Sequence, residues 1–429
     1  MLIERVIFMA EQQRIIINGK KRLEGEIAVQ GAKNSALPLF AAAALCGGEA
    51  VLHNCPGLSD CDSACRILEC IGCKCKREKN TVTVDSSVIS SVEVPTRLMR
   101  EMRSSIIFLG AILTRSKSCR LSFPGGCELG PRPIDFHLAA FREMGAEIEE
   151  RHGYLDCSVS RKLHGAKIAL SFSSVGATEN IILAASLADG VTEIHNAARE
   201  PEIADLADFI NKCGGKVSGA GESTVVIEGV ERLYPCEHKI IPDRIAAATY
   251  LCCGAISGGE LILTNVNHND LRPVTAVLEQ MGCRIYSYGQ GNMFINAKKP
   301  LVSPGTVRTN VHPGFPTDAQ PPLMALSAVA AGTSVFVENI FENRFKHASE
   351  LTRLGAKISV EGKVAVVTGV KSLSGAELVA TDLRGGAALI TAALAAEGTS
   401  RISGLSHIDR GYENIEGVLR SVGADIKRK

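Results

Sequence analysis

The heptapeptide EMGAEIE, residues 143–149, returns in altered form along the whole chain and decides the predicted fold. In each copy a helix-like stretch ends at an apolar residue and a glycine, and a strand-like stretch follows. The copies are ECIGCKC (69–75), EMGAEIE (143–149), KCGGKVS (212–218), QMGCRIY (280–286), RLGAKIS (353–359) and SVGADIK (421–427), and their glycines lie 68 to 73 residues apart. Glycine adopts the left-handed conformation that ends many helices at little cost, so each copy predicts a helix end before a strand.

A second element, a helix rich in small residues, repeats with the same period. The copies are ALPLFAAAALCGG (36–48), MRSSIIFLGAILTR (102–115), ATENIILAASLADG (177–190), DRIAAATYLCCGAISGG (243–259), LMALSAVAAGT (323–333) and GGAALITAALAAEGT (385–399). Each unit of about 70 residues therefore reads βαβαββ. Helices without a strong polar face are usually buried all round, which predicts helices inside and sheets facing solvent. Six such units favour two domains of three repeats over a solenoid, which uses shorter and more numerous repeats.

Composition excludes several classes of protein. The chain has 429 residues and a formal charge of +1, and this near-neutral charge argues against a broad nucleic-acid or membrane surface. No apolar run reaches the length needed to span a bilayer, and the start MLIERVIFMAEQQ carries Glu4 and Arg5, unlike a signal peptide. Met9 offers an alternative first residue. We therefore expect a cytoplasmic protein whose fifteen cysteines are reduced thiols.

Six cysteines between Cys55 and Cys75 raise the alternative of a structural zinc site. CDSACRILEC (61–70) reads as a helix, and Cys73 and Cys75 alternate along the strand that follows. Two facing Cys-x-x-Cys turns, which a zinc ribbon requires, are absent from this pattern. We expect no metal, and interpret these cysteines as small apolar fillers.

The loop FPGGCELGPRPID (123–135) contains a cysteine in a different setting. Its prolines exclude a continuous helix, and Cys127 follows two glycines and precedes Arg132. Nearby cations lower the pKa of a thiol, so Cys127 is a candidate reactive group. On local composition alone, an ordinary loop cysteine is the favoured interpretation.

Several other stretches carry polar residues suited to chemistry, namely GAKNSALP (31–38), SSVGATEN (173–180), AAREPEI (197–203), HPGFPTDAQ (312–320), FENRFKH (341–347), TDLRGG (381–386) and SHIDRGYENIE (406–416). Taken singly, each also fits a turn, a helix cap, a surface cation or an ion pair. His407 and Asp409 are predicted to alternate along an extended segment, and no hydrolase, P-loop or dinucleotide fingerprint accompanies them. Phosphate would thus be bound by Lys and Arg side chains and helix N-termini.

Taken together and in order, these stretches resemble the enolpyruvyl transferase family, and within it the enzymes that act on UDP-N-acetylglucosamine, over residues 14–428. The resemblance implies an α/β fold of two inside-out domains, each with three βαβαββ repeats. We expect one domain at 33–241, and a discontinuous one at 1–32 plus 242–429. It further implies transfer of enolpyruvate from phosphoenolpyruvate to the sugar 3-hydroxyl, with release of phosphate, in the first committed step of peptidoglycan synthesis.

The resemblance also implies a set of site residues. Cys127 would be a general acid or nucleophile and the target of fosfomycin, Asp318 the base near the 3-hydroxyl, and Lys33 and Arg410 would neutralise anions. The substrate-binding candidates are Lys33, Asn34, Arg103, Arg132, Asp135, His137, Ser174, Val175, Gly176, Glu200, Thr317, Asp318, Phe341, Arg344, Arg384 and Arg410. No cofactor and no obligate protein partner are implied, and we expect the ligands to drive closure of the two domains.

Three alternatives remain at this point. The first is an enzyme like the 5-enolpyruvylshikimate-3-phosphate synthases, which share the fold and the donor but have no reactive cysteine in this loop. The second is a non-catalytic scaffold, disfavoured because the candidate set is complete. The third is a zinc-dependent protein, which stoichiometric metal in the purified chain would support.

Overall fold

Each of the six repeated glycines follows the end of a helix and has a left-handed backbone, with φ between 88° and 107°. The structure is a computed structural model that describes residues 13–123 and 134–429, apart from the side chain of Arg103. Within these residues the strands form six four-stranded sheets. In each sheet one outer pair of strands is parallel, and the other two pairs are antiparallel.

The described residues divide into two compact units, which we call the middle unit (31–123 and 134–241) and the terminal unit (13–30 and 242–429). Each unit contains three of the sheets and its own hydrophobic core. The predicted mixed α/β fold built from small repeated sheets is confirmed.

Each sheet of the middle unit packs against one largely buried helix. In sheet order the strands are Glu237–Lys239, Glu49–His53, Thr81–Asp85 and Lys74–Glu78; Glu93–Val94, Ser118–Ser122, Tyr154–Ser158 and Glu147–Arg151; and Lys167–Ala169, Val191–His195, Thr224–Glu228 and Lys216–Ser218. The helices are Lys33–Ala43, Ser59–Cys70, Thr96–Glu101, Phe108–Ser116, Asp135–Glu143, Val175–Ala185 and Pro201–Lys212, with a 3-10 turn at Arg103–Ile107. The first sheet takes its outer strand from Glu237–Lys239, at the far end of the unit.

The terminal unit repeats this arrangement with strands from both ends of the chain. Its sheets contain Arg284–Tyr288, Asn292–Asn296, Glu260–Thr264 and Glu24–Ala28; Thr306–Arg308, Thr333–Val337, Val364–Thr368 and Lys357–Glu361; and Glu377–Val379, Thr399–Ser403, Ile15–Asn18 and Asp425–Arg428. The helices are Arg244–Ile256, His268–Gln280, Gln320–Ser327, His347–Arg353, Leu383–Ala395, Leu405–Ile408 and Ile415–Ser421, with a 3-10 turn at Thr317–Ala319. Ile15–Asn18 pairs with two strands from the last repeat.

The small-residue helices lie inside, as predicted. Every residue of Arg244–Ile256 except the first is buried, and the same is true of Leu383–Ala395. Close helix approach explains the small residues: a Cβ at Gly110 would lie 2.5 Å from the Asn180 side chain. The helices can approach this closely only because their facing residues are small.

Two local predictions need correction. MRSSIIFLGAILTR is not one α-helix, because a 3-10 turn over Arg103–Ile107 precedes the helix Phe108–Ser116. The predicted extended segment at His407 and Asp409 is wrong. His407 lies in the short helix Leu405–Ile408, and Asp409 follows it, paired with Arg428 at 2.6 and 2.9 Å.

Candidate active site

A carboxylate bound by two buried arginines forms the centre of the candidate site in the terminal unit. Asp318 Oδ1 accepts a hydrogen bond from Arg344 Nη2 at 2.7 Å, and its Oδ2 accepts one from Arg384 Nε at 3.1 Å. The two arginine side chains are 2% and 4% exposed, whereas Asp318 is 26% exposed. The group thus holds two buried cations beneath a carboxylate that solvent can reach.

The three side chains of this group come from three separate segments of the terminal unit. Asp318 lies in the 3-10 turn Thr317–Ala319, and Arg344 lies between the strand Thr333–Val337 and the helix His347–Arg353. Arg384 is the second residue of Leu383–Ala395, and the side chain of Asp382 accepts hydrogen bonds from its N–H and that of Gly385 at 3.1 and 2.9 Å. The helix cap therefore sets the position from which Arg384 reaches Asp318.

The turn and the Arg344 loop are also joined through Thr317. The carbonyl of Thr317 accepts hydrogen bonds from Arg344 Nε at 3.2 Å and Nη2 at 2.9 Å. The guanidinium carbon of Arg344 lies 5.7 Å from the centre of the Phe341 ring. Five predicted site residues, Thr317, Asp318, Phe341, Arg344 and Arg384, therefore lie in one cluster, and Arg410 lies in the same unit, just beyond Leu405–Ile408.

The environment of this cluster keeps Arg384 positively charged and His347 neutral. Burial acts to lower the pKa of Arg384, but Tyr412 and the carboxylates of Asp318 and Asp243 outweigh it and raise that pKa above its usual value. His347 lies near Arg344 and Asp382, and burial lowers its pKa to about 4, so it is neutral at pH 7. The cluster thus provides fixed positive charge beside a neutral imidazole, an arrangement suited to binding an anion.

In the middle unit, the candidate cation Lys33 begins a buried helix. Lys33 Nζ lies 2.7 Å from Asp60 Oδ2, and both side chains are nearly inaccessible to solvent, at 11% and 3% exposed. Asn34, next in the helix, is exposed. Sequence reasoning missed Asp60, because an aspartate near a helix start has many ordinary roles.

A second group surrounds the first turn of the helix Val175–Ala185. Ser174 is its N-cap, and its side chain accepts a hydrogen bond from the N–H of Ala177. A Cβ at Gly176 would lie 3.5 Å from the His137 ring, and His137 Nδ1 lies 3.0 Å from the amide nitrogen of Asn180. Burial lowers the pKa of His137 to about 4, so the ring is neutral and can accept this hydrogen bond. Four predicted residues, Ser174, Val175, Gly176 and His137, therefore lie together.

The remaining middle-unit candidates lie at helix starts. Asp135 is the exposed first residue of Asp135–Glu143, and Glu200 is the N-cap residue of Pro201–Lys212. Burial, together with the nearby carboxylates Glu202 and Glu200, raises the pKa of Glu179 well above its ordinary value. Sequence reasoning did not single out Glu179, although it lies in the motif SSVGATEN.

Three candidates lie outside what the structure describes: Cys127, Arg132 and the side chain of Arg103. The other fourteen cysteines have free thiols. Within residues 13–123 and 134–429, no group of three or more His, Cys, Asp or Glu is arranged to hold a metal ion. No helix in the same residues is long and apolar enough to cross a membrane.

Comparison with known proteins identifies the family. The profile of the family described as EPSP synthase (3-phosphoshikimate 1-carboxyvinyltransferase) matches residues 17–419. The chain belongs to this enolpyruvyl transferase family. Among solved structures, the enolpyruvyl transferase NikO from Streptomyces tendae is similar, with a TM-score of 0.87 and 27% identity over 97% of this chain and 99% of NikO.

Curated relatives within the enolpyruvyl transferase family carry a more specific name. The UDP-N-acetylglucosamine 1-carboxyvinyltransferase 2 of Caldanaerobacter subterraneus subsp. tengcongensis is 50% identical over 96% of this chain and 98% of its own length. The UDP-N-acetylglucosamine 1-carboxyvinyltransferase 1 of Symbiobacterium thermophilum is 48% identical over 97% and 95%. Both matches extend over almost the whole of each chain.

Proposed function

We propose that this enolpyruvyl transferase moves the enolpyruvyl group of phosphoenolpyruvate to the 3-hydroxyl of UDP-N-acetylglucosamine and releases phosphate. The observation that most supports this proposal is that Asp318, a partly exposed carboxylate, is held by two buried arginines. The near-full-length relatives named UDP-N-acetylglucosamine 1-carboxyvinyltransferase support the choice of acceptor. Such an activity would supply peptidoglycan synthesis in the bacterial cytoplasm. The two units would be the two domains of the enzyme, and the reaction needs no cofactor or protein partner.

Asp318 is proposed as the base that accepts the proton of the sugar 3-hydroxyl. Hydrogen bonds from Arg344 and Arg384 favour the charged carboxylate that a base must be. The same bonds weaken it as a base, so we infer that one of them is lost when the substrates bind. Arg384 is the better candidate to release Asp318, because Arg344 is also anchored on the carbonyl of Thr317.

The phosphate and carboxylate of phosphoenolpyruvate are proposed to bind cationic side chains. The candidates are Lys33, Arg103, Arg132, Arg344, Arg384 and Arg410. Arginine binds carboxylate and phosphate through two parallel hydrogen bonds, and such preorganised charge stabilises the charge that develops in the transition state. The start of helix Lys33–Ala43 adds its dipole to the charge of Lys33.

The nucleotide sugar is proposed to bind polar groups of the middle unit. Thr317 and Phe341 are also candidate substrate contacts. Helix starts favour phosphate groups, and Ser174, Val175 and Gly176 form the start of Val175–Ala185. Asn34, Asp135 and Glu200 also lie at helix starts, where their polar groups can contact a ligand. Because His137 is neutral, we assign it to holding Asn180 and the Gly176 turn rather than to neutralising phosphate.

Cys127 is proposed as the acid that protonates the methylene carbon or as a nucleophile that adds to phosphoenolpyruvate. A thiol that is both accessible and near cations suits either role. Fosfomycin, an electrophilic epoxide, should then alkylate Cys127. Peptide mass spectrometry would detect the adduct, and an adduct on Cys70 instead would contradict the assignment.

The decisive assay is phosphate release from phosphoenolpyruvate with each of two acceptors. We expect release with UDP-N-acetylglucosamine and none with shikimate 3-phosphate, and a large loss of release in Cys127→Ser. Cys70→Ser, which replaces a partly exposed thiol elsewhere in the middle unit, is the matched control and should keep full activity. Release only with shikimate 3-phosphate would favour the alternative synthase, and no release with either acceptor would reject the proposal.

A further inference from the structure

Glu338 is a buried carboxylate that neither the sequence motifs nor the proposed mechanism uses. It follows the strand Thr333–Val337 directly and is 1% exposed. Its Oε1 accepts hydrogen bonds from the N–H groups of Ile340 at 2.8 Å and Phe341 at 3.1 Å. Its Oε2 accepts one from the hydroxyl of Thr317 at 3.0 Å. Both carboxylate oxygens are therefore engaged.

A charged group this deeply buried is costly unless hydrogen bonds replace its lost water. Three donors supply that replacement, and its own N–H donates to the carbonyl of Lys363 at 2.8 Å. None of these donors is a cation, so Glu338 forms no ion pair within the part of the chain that the structure describes. An apolar residue in its place would leave the N–H groups of Ile340 and Phe341 and the hydroxyl of Thr317 without this acceptor.

The three donors come from two segments that carry the candidate chemistry. Thr317 immediately precedes Asp318 in the 3-10 turn. Ile340 and Phe341 begin the loop that continues to Arg344. Arg344, in the same loop, also donates to the carbonyl of Thr317 and to Asp318. The turn and the loop are therefore joined twice, once through Glu338 and once through Arg344. Removing Glu338 would leave only the hydrogen bonds of Arg344.

We propose that Glu338 is a positioning residue that fixes Asp318 and Arg344 relative to each other, by holding the Thr317 turn against the loop that starts at Ile340. This inference rests on the proposed function for its effect on catalysis. Its structural part, the coupling of the turn to the loop, does not depend on the substrates.

The kinetic test is Glu338→Gln, which keeps the size of the side chain but replaces one acceptor oxygen by an NH₂ group. Misplacement of reacting groups by about 1 Å can cost on the order of a hundredfold in rate, so we expect kcat to fall by about 10- to 100-fold. The KM for phosphoenolpyruvate should change less than kcat, because Arg344 keeps its own hydrogen bonds to the Thr317 carbonyl and to Asp318. Glu342→Gln, an exposed glutamate in the same loop, loses the same charge and should retain wild-type kcat.

A double-mutant cycle separates positioning from general destabilisation. Thr317→Val removes the hydroxyl that Glu338 accepts from, and its effect on kcat should be strongly non-additive with that of Glu338→Gln. Additive effects, or a kcat within about twofold of wild type for both single variants, would overturn the proposal. A residue that is only structural would lower the melting temperature and leave kcat per folded molecule unchanged.

Amide hydrogen exchange tests the coupling without substrates. In Glu338→Gln, exchange should accelerate both at Ile340–Phe341 and at the 317–319 turn, compared with wild type and Glu342→Gln. Unchanged exchange at the turn would overturn the proposal even if the enzyme is active. If wild type releases no phosphate with UDP-N-acetylglucosamine, the proposed function fails, and the exchange result still decides the role of Glu338.

Discussion

Asp318 is the residue on which the proposed chemistry depends most, because it alone among the described candidates pairs a reachable carboxylate with two buried guanidinium groups. Asp318→Asn keeps the shape and one acceptor oxygen but removes the base. We expect kcat to fall by about 10²- to 10⁴-fold, the range typical for loss of general base catalysis. Steady-state phosphate release measures it.

The control for this change is Asp189→Asn, which neutralises an exposed aspartate paired with Lys162. It should leave kcat unchanged. An Asp318→Asn variant that keeps most of its activity, while folding normally, would remove Asp318 from the role of base.

His137 should make the stability of the folded protein depend on pH. Its pKa is about 4 in the folded protein, below the ordinary value of 6.5, because the ring is buried. The unfolded chain therefore binds a proton more readily, so stability is fully present above pH 6.5 and is lost as the pH falls toward 4. At pH 5 this residue should cost about 2 kcal/mol relative to pH 7.

Denaturant unfolding of His137→Gln at pH 5 and pH 7 tests this. The difference in unfolding free energy between the two pH values should shrink by about 2 kcal/mol relative to wild type. His268→Gln, at an exposed histidine, should leave the difference unchanged. An unaltered difference in His137→Gln would contradict a neutral buried ring.

At the scale of elements, a helix cap sets the position of a candidate substrate-binding side chain. Asp382 caps the helix that carries Arg384 and is itself buried. Asp382→Ala should lower the free energy of unfolding by about 0.5–2 kcal/mol and also reduce kcat/KM, because the first turn and Arg384 would shift. Asp382→Asn retains an accepting oxygen and should recover most of both.

The matched control is Asn267→Ala, which removes the cap of the helix His268–Gln280 in the same unit. We expect a similar loss of stability there and no loss of kcat/KM. Equal kinetic losses in both variants would mean that the activity reports helix stability in general and not the position of Arg384.

Local chemistry explains which elements could be predicted from the sequence. The glycines that end helices and the all-buried small-residue helices follow from nearest neighbours, and the structure has both. The short helix Leu405–Ile408 was missed, because His407 and Asp409 fit strand alternation equally well. The outer strand Glu237–Lys239 pairs across 186 residues with Glu49–His53, and no local pattern specifies such a partner.

At the scale of the molecule, candidate residues in motifs were easier to predict than the groups that hold them. Arg344 and Arg384 lie in recognisable motifs, whereas Asp60 and Glu338 are single acidic residues in otherwise ordinary stretches. Their importance follows from burial and from partners distant in the chain, such as Thr317 for Glu338. A single sequence contains neither piece of information.

Ligand binding gives a prediction for the whole molecule. UDP-N-acetylglucosamine should raise the melting temperature, and at 100 times its Kd it should add about 2.7 kcal/mol to the free energy of unfolding. Shikimate 3-phosphate at the same concentration should have no effect. A thermal shift produced by shikimate 3-phosphate alone would favour the alternative acceptor.

The central claim, transfer of enolpyruvate to the 3-hydroxyl of UDP-N-acetylglucosamine, is tested most directly by the structure of the product. The purified enzyme would be incubated with phosphoenolpyruvate and UDP-N-acetylglucosamine, and the nucleotide product analysed by NMR. We expect vinyl protons of an enol ether attached to carbon 3 of the sugar, with one phosphate released per product. Unmodified UDP-N-acetylglucosamine under conditions where phosphate is released, or an enol ether at another oxygen, would contradict the account.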